Sequence, residues 1–139
     1  QMNTDGESKA YQNLLVKMLI IENVGEIFYK SLISKVKNQD LKTTYERLTL
    51  GEHEIAGHIK KELLARNENK RVLMKGIILS TAKFICGLLT ERQLNWILKI
   101  ALKRRIYSRW CNIYQYENHE FWRLLLDHEN LQHELLRIY

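Results

Sequence analysis

The chain of 139 residues contains no proline and only six glycines, where an average chain of this length carries about seven prolines and about ten glycines. Sandwiches and barrels, which need many tight reversals, are excluded by that scarcity of turn-formers. Cysteine is equally scarce. Cys86 and Cys111 stand in apolar stretches without metal-ligand spacing, so they read as buried free thiols of a reducing, cytoplasmic compartment. There is no long hydrophobic run either. The most apolar stretch, residues 72–89, is interrupted by Lys75, Ser80, Thr81 and Lys83 and by two glycines, which excludes a spanning helix of about 20 apolar residues. The start, Gln1-Met2-Asn3-Thr4-Asp5, has no positive region ahead of an apolar one, so no secretory leader is expected.

What is present argues for helices. Apolar residues make up 45% of the chain, too many for a disordered polymer and enough for one cored domain. We expect a single all-α domain over 1–139, with residues 1–7 disordered. Helical periodicity predicts segments over Ser8–Lys35, Leu41–Arg66, Val72–Leu89, Glu91–Tyr116 and from Asn118 towards Tyr139, with turns at 38–40 and 67–70. Thr90 and Asn118 are the expected N-caps of the last two. Four long helices and short turns describe an antiparallel four-helix bundle, with 72–89 as an additional short apolar helix. That segment either covers the bundle end or lies in the plane of a membrane as a peripheral contact.

Lys and Arg number 22 against 16 acids, a net charge of +6. Such a surface is either ordinarily solvated or turned to an anionic partner. The cluster Lys99, Lys103, Arg104, Arg105 and Arg109, interleaved with Trp96, Tyr107 and Trp110, is the candidate face for RNA or anionic lipid. At helical spacing, however, these aromatics read as core, so nucleic acid is not the favoured partner. A homodimer through this aromatic-rich helix is expected instead.

On the helical wheel, acids interrupt three apolar stripes. Helix one runs Leu15, Met18, Glu22, Gly25, Tyr29, Leu32. Helix two runs Leu41, Tyr45, Leu48, Glu52, Ile55, Ile59, Leu63. The last runs Phe121, Leu125, Leu136, Tyr139 and includes His128, Glu129 and Gln132. Three mid-helix glutamates from three helices should meet at one depth. With His128 they form a candidate oxygen-rich metal site suited to iron or manganese. Seam positions with the carboxylates reaching solvent or pairing with a cation are the alternative. The third long helix places Trp96, Ile100, Lys103, Tyr107, Trp110 and Tyr114 on its stripe, so Lys103 occupies the slot of a fourth acid. An ammonium there would neutralise carboxylates and repel a metal, or extend its tip to water.

At these residues the chain resembles the ferritin-like superfamily. Glu22-x-x-Gly25-x-x-x-Tyr29-x-x-Leu32 is similar to the first-helix ligand motif of rubrerythrins and of 5-demethoxyubiquinone hydroxylases. Glu52 and Glu129 match the glutamates of those families' two Glu-x-x-His motifs, and the segment 72–89 resembles the hydroxylases more than rubrerythrin. The resemblance implies iron and oxygen, peroxide or quinone-type chemistry. Ile55 and Gln132 stand where the motif histidines belong, and Lys103 stands where an acid belongs, so we expect a reduced site holding at most one ion. A second pattern, His53-Glu54-x-x-x-His58 and His128-Glu129-x-x-x-His133, offers Glu54, His58 and His133 as alternative ligands, at the cost of rotating helix two by about one residue.

Overall fold

The computed structural model describes residues 4–65 and 72–138. Short connections apart, they are helical: α1 (Thr4–Lys35), α2 (Gln39–Ala65), α3 (Val72–Leu88), α4 (Glu91–Lys103), α5 (Ile106–Tyr114), a single 3-10 turn (Gln115–Glu117) and α6 (His119–Leu135). No strand occurs among the described residues. Helix α1 begins at Thr4 rather than Ser8. Residues 1–3, the polar stretch 67–70 and Tyr139 lie outside the described residues.

The helix ends follow from local chemistry. Asn38 Oδ1 accepts from the Leu41 amide at 3.1 Å and starts α2. Thr90 closes a reciprocal capping box with Gln93, accepting at 3.2 Å from its amide while the Gln93 side chain takes the Thr90 N–H at 3.0 Å. Asn118 Oδ1 receives the Phe121 amide at 3.2 Å and starts α6. Each cap satisfies a donor that the helix itself leaves free. At the opposite polarity, Lys35 Nζ donates to the carbonyl of Cys86 at 2.6 Å and also to that of Leu89. A cation thereby closes the carbonyl end of α3, where the helix dipole is negative.

Helices α1 and α2 form an antiparallel hairpin, with Tyr29 stacked on Tyr45 at 6.2 Å between ring centroids. Helix α6 lies against α2, α4 and α5, and α3 packs on α1. Two apolar clusters result. One joins Leu15, Met18, Ile55 and Ile59 to Phe121, Trp122 and Leu125. The other joins Tyr29, Leu32, Tyr45 and Leu48 to Cys86, Leu94 and Leu98. Between them, on α1, α2 and the second half of α6, sit the buried polar residues Glu22, Glu52, His128, Glu129, Gln132 and His133.

The expected long third helix is broken. Arg105 takes the left-handed conformation at φ 47° and separates α4 from α5, so one stripe cannot run through both. Leu94 and Leu98 face the core on α4, whereas Trp96 is 66% exposed and Ile100 is also exposed. Tyr107 and Cys111 face inward on α5. Helix α3 packs through Leu79, Ala82 and Cys86 and leaves Ile77, Phe84, Ile85 and Leu88 exposed. Among the described residues, no helix is long and apolar enough to cross a membrane. Both cysteines are free and buried, and burial pushes their thiols up, away from reactive thiolate.

Candidate metal centre

Glu22 from α1, Glu52 from α2 and His128 from α6 bring one donor atom each within 4.8 Å of one another, all buried. The stripes of α1 and α2 drive this convergence: every fourth or third residue is apolar and faces inward, and the two glutamates occupy the same faces. His128 Nε2 lies 3.3 Å from Glu52 Oε2 and 3.9 Å from Glu22 Oε1. Two donors bound to one ion at about 2.1 Å stand at most about 4.2 Å apart, so both distances from the imidazole are compatible with a shared ion.

The surroundings hold the carboxylates in place. The Tyr107 hydroxyl donates to Glu22 Oε2 at 2.8 Å, and Gln132 Nε2 donates to Glu52 Oε1 at 2.9 Å. The same amide nitrogen sits 2.9 Å from His128 Nε2. Among the described residues, Glu22 Oε1 and the Tyr29 hydroxyl are buried without a hydrogen-bond partner, a costly state for polar atoms in a dry interior.

Two glycines make room. A Cβ on Gly25 would lie 2.5 Å from Glu52 Oε1, and one on Gly51 would lie 2.7 Å from the His128 ring. Gly51 is not on the stripes read from the sequence. Its signal is a glycine inside an otherwise good helix, which costs about 0.5–1 kcal/mol relative to alanine, but Gly57 on the same helix meets open space, so the sequence alone does not single Gly51 out.

Burial, with the adjacent Glu52 charge second, pushes the Glu22 carboxyl well above the ordinary carboxylate range. Burial likewise raises Glu52 to about 7, against the hydrogen bonds from Glu22 and Gln132 that lower it. His128 is lowered by burial, with Glu22, Glu54 and Glu129 acting the other way. Burial and the two acids raise the phenols of Tyr29 and Tyr107 well above their usual value, keeping both hydroxyls protonated. The interior thus stores protons where positive charge is wanted, and a cation can displace them.

Glu129 is buried but serves the helix break. Its Oε2 accepts the Tyr107 amide at 3.1 Å and its Oε1 accepts the Ser108 hydroxyl at 2.5 Å. It therefore supplies the N-terminal cap that Arg105 does not provide for α5. One turn on, the His133 Nε2–H donates at 2.7 Å to the Leu102 carbonyl at the end of α4. Glu129, expected as a ligand from the sequence, and His133, an alternative one, thus bond to the two sides of one break.

Lys103 is exposed in the last turn of α4. Helix α4 turns Leu94 and Leu98 inward, which leaves Lys103 on its outer face, and the left-handed Arg105 beyond the helix end resets the register for α5. The Tyr107 hydroxyl meets Glu22 instead. Ile55 is buried in the first apolar cluster and Gln132 is a donor to Glu52. Of the alternative ligands, Glu54 is exposed and His58 half-buried; neighbouring His53 pairs with Glu26 at the surface, at 3.2 Å. The wheel that places Glu52 inside is the one observed.

Comparison of the chain with protein-family models, curated proteins and solved structures finds no match.

Proposed function

We propose that this is a ferritin-like helical-bundle protein whose interior carboxylate site is reduced to a one-metal centre, with Glu22, Glu52 and His128 as the ligands. The observation that carries the reading is the convergence of three buried donors from three helices, one of which, Glu22 Oε1, has no hydrogen-bond partner among the described residues. Charge sets the stoichiometry. Two carboxylates and a neutral imidazole carry a formal −2, which one divalent ion cancels, and Glu129 is committed to α5. A second divalent ion would bring two uncompensated charges into a low-dielectric interior. Two oxygen donors and one imidazole favour iron(II) or manganese(II) over softer ions.

Metal analysis of protein purified after iron and manganese supplementation tests the proposal. We expect no more than one ion per chain, lost in Glu22→Gln and in His128→Ala. Two irons per chain, or metal content indifferent to both substitutions, would overturn it.

A further inference from the structure

A cavity of about 250 Å³ opens between α1 and α4. Ile20, Val24 and Phe28 line it from one side, and Ile97 and Ala101 from the other. Its deep end is formed by the buried residues Glu22, Glu52, Tyr107 and Gln132. The walls are apolar and the floor is acidic, and the available hydrogen-bonding capacity of that floor is one-sided. Tyr107 already donates to Glu22 and Gln132 to Glu52, whereas Glu22 Oε1 accepts no hydrogen bond among the described residues. Once its stored protons are released, the floor is short of donors.

That imbalance selects among ligands. A carbonyl or ether oxygen brings only acceptors, and a carboxylate or phosphate adds repulsion. An ammonium brings three donors and a compensating charge. The apolar walls need a body to match. A cavity of about 150 Å³ accepts benzene, so this one takes a ring or a pair of fused rings.

We propose that the cleft is a binding site for a primary amine on a small apolar or aromatic body, with its ammonium seated on Glu22 and Glu52 where the divalent ion would otherwise lie. The site shares those carboxylates with the metal reading but does not require a metal, and the two ligands exclude each other. Access is from the α1–α4 face, so the cleft can be closed without touching a metal ligand.

The test uses the full chain freed of metal with a chelator, titrated calorimetrically with 2-phenylethylammonium and with its neutral counterpart 2-phenylethanol. The amine should bind at least about tenfold more tightly, as a charge-assisted hydrogen bond predicts. Ala101 is exposed, so Ala101→Trp should fold, abolish amine binding and leave manganese binding within about twofold, a change of no more than about 0.4 kcal/mol. Glu22→Gln should lose both ligands. Equal binding of the alcohol, an unaltered amine affinity in Ala101→Trp, or no amine binding by protein that does bind manganese would each overturn the proposal. In the last case the metal centre stands alone. Amine binding by protein that takes up no manganese would instead sustain the amine site and overturn the metal centre.

Discussion

A methyl group on Gly25 would come within 2.5 Å of Glu52 Oε1, across the contact between α1 and α2. The atom it meets is the far end of a flexible side chain, so the helices need not part; the carboxylate must. Gly25→Ala therefore sets two effects against each other. Helix propensity gains about 1 kcal/mol, while Glu52 gives up its hydrogen bond from Gln132, worth about 1–3 kcal/mol when one partner is buried and charged. We expect urea denaturation to show a stability change of no more than about 2 kcal/mol. Manganese affinity should fall by at least about tenfold, as for a misplaced ligand. A stable variant with unchanged affinity would mean that Glu52 is not a ligand.

Glu129 provides the complementary case, a buried acid whose loss should cost fold rather than metal. Glu129→Ala leaves the Tyr107 amide and Ser108 hydroxyl without their acceptor, which predicts a destabilisation of about 1–3 kcal/mol. Metal affinity measured in the folded variant should stay within about threefold of wild type, since loss of a true ligand costs more than the roughly 10–100-fold typical of outer partners. A collapse in affinity without a loss of stability would return Glu129 to the ligand set.

The stripes that carry Glu22 and Glu52 are legible in the sequence because α1 and α2 are long, unbroken and amphipathic, so a wheel drawn over many turns averages out local exceptions. The caps at Thr90 and Asn118 are legible because they depend on neighbours three residues away. Lys103 and Trp96 are misplaced by the sequence pattern for one reason. No glycine or asparagine marks the left-handed turn at Arg105, where arginine is an unusual occupant, and a wheel carried across that break points the wrong way. The partners that hold the break, Glu129 and His133, are distant in sequence from it and cannot be assigned by spacing.

The same break gives a direct check at Lys103. Because its side chain is exposed, Lys103→Ala should alter stability by less than about 0.5 kcal/mol and leave manganese affinity unchanged. An ammonium opposed to the carboxylates would instead have held a divalent ion away, and its removal would strengthen metal binding. Calorimetric titration of the variant beside wild type separates the two outcomes.

Protons and metal compete for the same atoms, which fixes the sign of the pH dependence. In the metal-free fold, Glu22 is held well above and Glu52 at about 7, against an ordinary value of 4.5. Between those limits the folded chain keeps protons that the unfolded chain releases. The stability they confer is full below about pH 4.5 and is lost as pH rises through about 7 for Glu52, and higher for Glu22. His128 opposes this, because its imidazole is held neutral and the unfolded chain gains the proton below about pH 6.5. Two carboxyls against one imidazole leave a net fall in the site's contribution with rising pH. Metal-free wild type should therefore lose stability relative to Glu52→Gln between pH 5 and pH 8 in urea denaturation. Manganese reverses the slope: each proton it displaces makes binding up to about tenfold tighter per pH unit, so saturating metal should stabilise wild type more at pH 8 than at pH 5. Affinity that is flat across this range would show that the ion does not sit on the buried carboxylates.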